Sequence, residues 1–305
     1  MSAARMTPVI LAGSAHPKLA DALARELGEP LGPCFITRFP DGELEIEVQA
    51  DVRLRPVFIV QPTSPPVGEH LLELALLSDA SRRAGASSVT AVVPYLGYAR
   101  QDRRETGREP LGARVVAELL AAGRIDRMVC LDLHSRAVEG CFPQPVEHAS
   151  AVSSLVQRLK DIPRPAVVVS PDLGAVKRAE TFARLLGVNV VVVHKQRQSG
   201  SNVKAVGVVG EVKGLHAVVV DDMISTAGTV CAAIEAVVKE GAHADVTVAA
   251  THGLFVGPAL ERLAACKPRR VVVSDSVPPP AQTPFPLEVV PIAPVLADVL
   301  RRLQP

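Results

Sequence analysis

The residues with the clearest chemical potential lie in the segment VVVDDMISTAGT, at positions 218–229. A β-branched run leads into two adjacent carboxylates, Asp221 and Asp222, and a hydroxyl-rich turn follows before an apolar helical pattern begins. A turn between a strand and a helix presents backbone N–H groups and the positive end of a helix dipole, which together favour a phosphate. The carboxylates can accept hydrogen bonds from the vicinal hydroxyls of a ribose or hold Mg²⁺. The segment therefore predicts a sugar phosphate site; an acidic turn with Ser or Thr capping the next helix is the alternative.

A second cluster is the sequence ARQDRR at 99–104, which follows a strand pattern and a Gly-Tyr turn. Its three guanidinium groups can make forked hydrogen bonds to phosphate oxygens. A solvated charge cluster is the alternative. The chain has no GxxxxGK[ST] sequence, so a phosphate donor would have to be bound by something other than a Walker loop.

Single polar residues follow three further strand patterns. His134 in LDLHS and Asp172 in VVSPDLG stand where a divalent metal could bind, although imidazole is an unusual Mg²⁺ ligand and a lone His is more often structural. Lys195 and Arg197 lie in the polar stretch HKQRQSGSN, which we expect to be a mobile loop. A solvated hairpin loop is the alternative for that stretch.

Composition limits the class of protein. A chain of 305 residues with 48% hydrophobic residues is long enough for about two packed domains. Its longest apolar runs have strand length and no secretory signal is visible, so we expect a cytoplasmic protein that neither spans nor binds a membrane. The five cysteines lack the paired spacing of zinc or redox sites, and a net charge of +1 argues against nucleic acid as a partner.

The elements that must position these residues alternate between strand and helix patterns along the whole chain. This alternation predicts an α/β protein with mostly parallel sheets. Strands are predicted at 9–12, 57–61, 89–94, 128–131, 166–170, 188–194, 217–221, 246–251 and 270–274. Helices are predicted at 17–27, 68–84, 111–122, 174–186, 229–240 and 258–265. The similar order of elements in the two halves suggests an internal duplication with a boundary near 147–150.

Several segments together resemble the ribose-phosphate diphosphokinase, or PRPP synthetase, family. They are FPDGE at 39–43, PYLGYARQDRR at 94–104, DLHS at 132–135, SPDLG at 170–174, HKQR at 194–197 and ATHGLF at 250–255. The segment at 218–229 resembles the PRPP-binding loop of the type I phosphoribosyltransferase fold. The resemblance implies two similar type I phosphoribosyltransferase-like domains, 1–148 and 149–292, each a mostly parallel sheet flanked by helices. It also implies that a C-terminal helix of about 293–305 packs back on the first domain.

The resemblance implies transfer of the diphosphoryl group of ATP to O1 of ribose 5-phosphate, giving PRPP and AMP, with Mg²⁺ as cofactor. It assigns catalysis to Lys195 and Arg197 and the metal to His134 and Asp172. The residues implied for ATP are Phe39, Asp41, Glu43, Arg100, Gln101, Asp102, Arg103 and His134. Those implied for ribose 5-phosphate are Asp221, Asp222, Ser225, Thr226, Ala227, Gly228 and Thr229. In the family the turn with Phe39 reaches the ATP of a neighbouring subunit, which implies a homo-oligomer built of dimers, possibly a hexamer.

Within the segment at 218–229, Ser225 departs from the common bacterial pattern, because many members carry a carboxylate there, and the loop ETGREP at 105–110 differs from the common version as well. A hydroxyl can still donate to the 5-phosphate and does not repel it, so we expect a working phosphate site. Two other functions stay open. One is a catalytically silent homologue that binds nucleotide and regulates an active synthetase by co-assembly. The other is a phosphoribosyltransferase, which shares the loop at 218–229 but lacks the other segments.

Overall fold

The chain forms two compact units in the computed structural model, which describes residues 7–104, 106–197 and 204–303, with the backbone alone at 195–197 and 204–206. Unit 1 comprises Met1–Ser150, Ser276–Pro278 and Ile292–Pro305, and unit 2 comprises Ala151–Asp275 and Pro279–Pro291. The predicted α/β class is confirmed, since each unit has a largely parallel sheet with helices packed on it. In the described parts of the chain, no helix combines the length and the apolar character needed to cross a bilayer.

Unit 1 has a five-stranded parallel sheet in the order β1-β4-β5-β6-β7. Its strands are β1 (Val9–Ala12), β4 (Pro56–Val60), β5 (Ser88–Val93), β6 (Arg127–Leu131) and β7 (Val146–Ala149). The strands are rich in buried β-branched residues, as expected for a parallel sheet that is covered on both faces. Strands β2 (Cys34–Arg38) and β3 (Leu44–Val48) form a separate antiparallel hairpin.

The helices of unit 1 are α1 (Pro17–Leu27), α2 (Val67–Arg83), α3 (Gly112–Ala122), the short 3₁₀ helix Arg136–Cys141 and the C-terminal α8 (Ala293–Leu303). Buried leucines of α2 and α3, such as Leu74 and Leu120, pack in the same core as Met128 of β6. Helix α8 contacts α1, and Arg301 of α8 donates to the backbone carbonyl of Glu26. The last helix of the chain therefore completes the first unit.

A buried carboxylate lies at the carboxyl ends of β1 and β4. Glu73 of α2 accepts hydrogen bonds from the backbone N–H of Ser14 (2.6 Å), from the Ser14 hydroxyl (2.5 Å) and from Gln61 Nε2 (2.9 Å). Gln61 Oε1 accepts in turn from the N–H of Ala15. Gly13 keeps this network possible, because a Cβ at that position would lie 2.1 Å from Gln61 Oε1.

Unit 2 has a seven-stranded sheet in the order β10-β9-β8-β11-β12-β13-β14, parallel except for the β9–β10 pair. Its strands are β8 (Ala166–Ser170), β9 (Asn189–Arg197), β10 (Lys204–Val209), β11 (His216–Ile224), β12 (Thr247–Gly253), β13 (Arg270–Ser274) and β14 (Leu287–Val290). Its helices are α4 (Val152–Arg158), α5 (Val176–Leu186), α6 (Gly228–Lys239) and α7 (Ala259–Cys266). Val219, Val248 and Ile234 are among the buried residues of its core.

Three strands extend past their predicted ends: β12 by two residues, to Gly253, and β9 and β11 by three residues each. β9 continues through Arg197 because residues 195–197 pair with 204–206 of β10, so this part of the expected mobile loop is strand, while 198–203 lie outside the described residues. β11 continues past the two aspartates to Ile224, because Met223 and Ile224 pair with His252 and Gly253 of β12. The sequence interpretation also gave no positions for six further elements, which are short or lie at the edge of a sheet: β2, β3, β7, β10, β14 and α4.

Candidate active site

The topology of unit 2 identifies one position at which an open α/β sheet binds ligands. Strands β8 and β11 are neighbours, and the chain proceeds from β8 to β9 and β10 on one side and from β11 to β12, β13 and β14 on the other. Ligands bind beyond the carboxyl ends of strands where the order reverses in this way. Asp172 follows β8, and Asp221 and Asp222 lie on β11, so three carboxylates belong to this switch point.

The carboxylates at the switch point repel one another. Asp222 is buried, with 5% of its surface exposed, and its N–H donates to Asp221 Oδ1 at 2.8 Å. Burial and then the neighbouring charge of Asp222 raise the pKa of Asp221 to about 8, and the charge of Asp172 adds to the effect. A divalent cation or the hydroxyls of a ribose would stabilise such a group in its ionised form. The oxygen donors present are those that Mg²⁺ prefers, so the residues fit this metal.

The turn after β11 has a backbone that favours anions. Ala227 is buried and adopts a left-handed conformation with φ 61° directly before α6, which starts at Gly228. This conformation is uncommon for a residue with a Cβ and costs free energy, and such strain concentrates at ligand-binding sites. An alternation of right- and left-handed residues turns successive N–H groups toward one side, where they can bind phosphate. Ser225 and Thr229 are half-buried, while Thr226 is exposed.

Two neighbouring elements hold the turn at 225–229 in place. The N–H groups of Leu254 and Phe255, after β12, donate to the carbonyl of Ile224, and that of Val256 donates to the carbonyl of Ser225. Arg262 of α7 donates from Nη1 to the carbonyl of Thr226 at 3.1 Å. The sequence interpretation missed Arg262, since an arginine in an amphipathic helix gives no sign of its partner.

In unit 1 the predicted adenine-binding residues lie on the turn of the β2–β3 hairpin. The N–H of Phe39 donates to the carbonyl of Glu43, and the N–H of Gly42 donates to the carbonyl of Phe39, both at 2.9 Å. Asp41 Oδ1 accepts from the N–H of Glu43. The Phe39 ring is 45% exposed, and Asp41 and Glu43 are exposed as well. This turn thus presents an aromatic ring and two carboxylates at the surface.

The arginine-rich segment of unit 1 follows a residue with strained backbone, Tyr98, whose φ is 64°. The N–H of Gln101 donates to the Tyr98 carbonyl, and the Gln101 carbonyl accepts from the N–H of Ala113 in α3. Gly112 allows this approach, because a Cβ there would lie 2.4 Å from Gln101 Oε1. The side chains of Arg100, Gln101 and Arg103 are exposed, and that of Asp102 is half-buried.

The predicted metal ligands belong to different units. His134 is exposed and follows β6 in unit 1, two residues after Asp132, whose φ is 40° and whose Oδ1 accepts from the Ser150 hydroxyl. Asp172 is exposed in unit 2, and its Oδ1 accepts from the N–H of Ala175. Lys195 and Arg197 lie on β9, opposite Val206 and Lys204 of β10, and their side chains lie outside the described residues.

Left-handed backbone at residues other than glycine recurs in the segments that carry the family resemblance. Tyr98, Asp132, Ala227 and Phe255 all have positive φ. Residue type alone does not indicate this conformation in a residue with a Cβ. The feature was therefore not available to sequence reasoning.

Comparison with known proteins gives matches over nearly the whole chain. A family model described as the N-terminal domain of ribose phosphate pyrophosphokinase matches residues 8–123, and one described as the phosphoribosyl synthetase-associated domain matches residues 199–305. The chain is 40% identical to the ribose-phosphate pyrophosphokinase of Gloeobacter violaceus, over 96% of this chain and 89% of that one. It is 41% identical to the enzyme of the same name from Parasynechococcus marenigrum, over 96% and 90%. The crystal structure of phosphoribosylpyrophosphate synthetase from Mycobacterium smegmatis superimposes with a TM-score of 0.90 at 39% identity, covering 97% of this chain and 98% of that one.

Proposed function

The chain belongs to the ribose-phosphate pyrophosphokinase family, and we propose that its switch point in unit 2 binds ribose 5-phosphate for transfer of the diphosphoryl group of ATP. The reaction is that of a transferase: the anomeric hydroxyl of the sugar attacks the β-phosphorus of ATP, the bond to the α-phosphate oxygen breaks, and PRPP and AMP result. No covalent intermediate with the enzyme is needed.

The observation that carries this proposal is the arrangement on β11 and in the turn that follows it. One continuous segment contains both parts of such a site. Its carboxylates suit the hydroxyls of a ribose, and the strained, hydroxyl-bearing turn that follows suits a phosphate. Asp221 and Asp222 would accept hydrogen bonds from the vicinal hydroxyls of the ribose. The five residues Ser225, Thr226, Ala227, Gly228 and Thr229 would surround the 5-phosphate.

On the ATP side, the proposal assigns roles to residues of unit 1. Phe39 would stack on adenine, and Asp41 and Glu43 would accept from its amino group. Arg100, Gln101, Asp102, Arg103 and His134 would bind the remainder of ATP. The catalytic groups would be Lys195 and Arg197, whose cationic side chains can stabilise the charge that develops on the transferring group without donating a nucleophile.

Magnesium is part of the proposal. His134 and Asp172 would hold it, with Asp221 and Asp222 nearby as oxygen donors. Bound Mg²⁺ supplies charge neutralisation at the phosphates. Burial, and after it the charge of Asp222, raises the pKa of Asp221, and this supports a cation in the neighbourhood that would stabilise the ionised form.

We also propose a homo-oligomer in which the Phe39 turn completes the ATP site of a neighbouring subunit. The outer faces of two packed helices of unit 1 support this, because each carries two exposed apolar residues one turn apart. They are Leu72 and Leu76 on α2 and Val115 and Leu119 on α3.

The proposal also includes the domain limits, which are 1–148 with 293–305 for the first domain and 149–292 for the second. A cytoplasmic location belongs to the proposal too, and the five cysteines outside any disulfide support it.

The test is a chromatographic assay of the purified protein with ribose 5-phosphate, ATP and Mg²⁺. We expect AMP and PRPP in equal amounts and no ADP. Lys195→Ala should reduce the rate by at least about a hundredfold, because removal of one charge-stabilising group costs roughly that much. Lys213→Ala is the matched control, since Lys213 is an exposed lysine in the loop between β10 and β11 of unit 2, and it should leave the rate unchanged.

The two open alternatives predict different products. ATP bound without formation of AMP would favour the silent regulatory homologue. Consumption of PRPP in the presence of a nucleobase would favour a phosphoribosyltransferase.

A further inference from the structure

Three residues with metal-ligating side chains meet at the amino edge of the sheet in unit 2. His216 is the first residue of β11, and His243 and Asp245 lie in the loop between α6 and β12. One ligand atom from each of the three side chains lies within 4.8 Å of those of the other two, and within the described residues these form the one group of three or more His, Cys, Asp or Glu with that spacing.

Backbone hydrogen bonds hold two of these three residues, His216 and His243. The N–H of His216 donates to the carbonyl of Pro165, and the N–H of His243 donates to the carbonyl of Leu215. The N–H of Gly214 donates to the carbonyl of Gly241, which ties the two loops together. His216 therefore lies at the start of a central strand, and the loop that carries His243 and Asp245 is hydrogen bonded to the segment directly before that strand.

The side chains are arranged around His216. Its ring stacks on that of His243, with 4.2 Å between the ring centroids and 20° between the planes. Its Nδ1 is buried, lies 3.2 Å from Asp245 Oδ1, and is without a hydrogen bond of good geometry within the described residues. A buried ring nitrogen without a hydrogen bond costs free energy, and a bound cation would remove this cost.

Asp245 is oriented from its other side. Arg269 Nη1 donates to Asp245 Oδ2 at 3.2 Å, which leaves Oδ1 directed at His216. Hydrogen bonds of this kind fix the orientation of ligating carboxylates in metal sites. The arginine also places a positive charge near the group, which limits the affinity for a cation.

We propose that His216, His243 and Asp245 form a site for a divalent transition metal such as Zn²⁺, separate from the substrate site. Two imidazoles and one carboxylate are a donor set that Zn²⁺ and other divalent transition metals take, whereas Mg²⁺ takes oxygen donors. The His243 ring is exposed, so a change of rotamer that gives up its stacking on His216 can bring its nitrogen to the roughly 2.1 Å that zinc requires. A fourth position would remain for water.

The site is distant from the proposed chemistry along the same strand. His216 and Asp221 are five residues apart on β11, a separation of about 16 Å at 3.3 Å per residue. The site lies at the amino ends of β11 and β12, whereas the turn at 225–229 follows the carboxyl end of β11. The proposal therefore does not rest on the proposed function.

The test measures metal binding alone. Untagged full-length protein is stripped with a chelator, and Zn²⁺ is titrated in competition with a chromophoric chelator in the presence of excess Mg²⁺. We expect His243→Ala to lose one equivalent of bound Zn²⁺, or to bind it at least about tenfold more weakly. Asp245→Asn, which keeps the shape and removes the charge, should weaken binding in the same direction.

The matched control is His148→Ala. His148 lies in unit 1, with Nε2 2.9 Å from Glu139 Oε2, and is not part of the three-ligand group. It should retain the binding of wild type. With Cu²⁺ as a probe, electron paramagnetic resonance should show nitrogen ligands that His243→Ala reduces in number. Equal Zn²⁺ affinity and stoichiometry in wild type, His243→Ala and Asp245→Asn, with the variants folded by circular dichroism, would overturn the proposal.

Discussion

At the scale of single residues, the turn at 225–229 depends on a conformation that its sequence does not favour. Ala227 has positive φ and is buried directly before α6. Left-handed backbone costs a residue with a Cβ about 1–2 kcal/mol, and more when the side chain is β-branched. The hydrogen bonds from Val256 and Arg262 to the turn help to maintain it.

The first prediction concerns Ala227. Ala227→Val should raise KM for ribose 5-phosphate about tenfold, because a β-branched residue resists positive φ and a loss of about 1.4 kcal/mol in binding is a factor of ten. Steady-state kinetics with ribose 5-phosphate as the varied substrate measures the effect. Ala227→Gly is the control and should keep KM within about threefold, since glycine adopts this conformation freely. A normal KM in the valine variant would show that the turn binds no substrate.

Residue chemistry determined how much of this site could be predicted. The carboxylates Asp221 and Asp222 and the hydroxyls of the turn were proposed as site residues because their donors and acceptors are visible in the sequence, and their role stays a prediction. The strain at Ala227 and the contact from Arg262 could not be predicted. Both depend on how β12 and α7 pack against the turn, which is a tertiary property.

At the scale of elements, the end of β12 supports the end of β11. Gly253 is the last residue of β12 and pairs with Ile224. A Cβ at this position would lie 2.6 Å from the Phe255 ring and 3.1 Å from the Val273 side chain. The next residues hydrogen bond to Ile224 and Ser225. A shift of this segment would therefore move the turn as well.

Gly253→Ala should destabilise the protein by about 1–3 kcal/mol, because extra volume in a packed core forces neighbouring groups apart. It should also raise KM for ribose 5-phosphate, because the Phe255 and Val273 side chains would have to move and the turn at 225–229 would shift with this segment. Thermal unfolding and steady-state kinetics measure the two effects. Gly68→Ala in α2 is the matched control, since no atom lies within 4 Å of a Cβ there. Equal stability of the two variants would contradict this account.

A second group of contacts joins three elements of unit 2 through Arg270 at the start of β13. Its guanidinium donates to both oxygens of Asp161, which follows α4, to Glu288 of β14 at 2.9 Å, and to the carbonyl of Arg158 at 3.1 Å. The hydrogen bond from Arg270 lowers the pKa of Asp161 below its ordinary value. A carboxyl whose pKa is lowered by folding stabilises the protein above its unfolded-state pKa of about 4 and loses this effect as the pH falls.

Arg270→Met should therefore reduce stability by about 1–2 kcal/mol at pH 7, as expected for the loss of several partly exposed charged hydrogen bonds. The difference from wild type should narrow as the pH falls from about 5 to 3. Thermal unfolding of both proteins across this range measures it. Arg25→Met should change little, because the Arg25–Asp21 pair on α1 is exposed. A difference between Arg270→Met and wild type that stays constant with pH would show that Asp161 does not contribute.

The sequence predicted the ends of an element correctly where apolar residues recur with the period of a helix or strand over its whole length. Helix α1 and the strands β1, β8 and β13 begin and end where the sequence predicts. The ends of β9 and β11 were wrong because polar residues there are held in strand by pairing with β10 and β12. Such pairing depends on a partner distant in sequence, which a local pattern does not contain.

At the scale of the whole molecule, the proposed sharing of the ATP site makes activity depend on assembly. A charge on each apolar helix face, as in the double variant Leu72→Asp with Val115→Asp, should dissociate the oligomer and lower activity per chain at least about tenfold. Sedimentation velocity measures the assembly state, and the AMP assay measures the activity per chain. Leu185→Asp, an exposed leucine of unit 2, is the control and should change neither. A dissociated but fully active protein would contradict the shared site.

The buried carboxylate of Glu73 bears on the stoichiometry of substrate binding. In unit 1 the donors at the carboxyl ends of β1 and β4 already bind an anion that the chain itself provides. An incoming phosphate would have to displace a carboxylate from three hydrogen bonds and place a second negative charge beside it. If the proposed function holds, the two units of similar fold would bind one sugar phosphate per chain, in unit 2, and unit 1 would contribute to the nucleotide site instead.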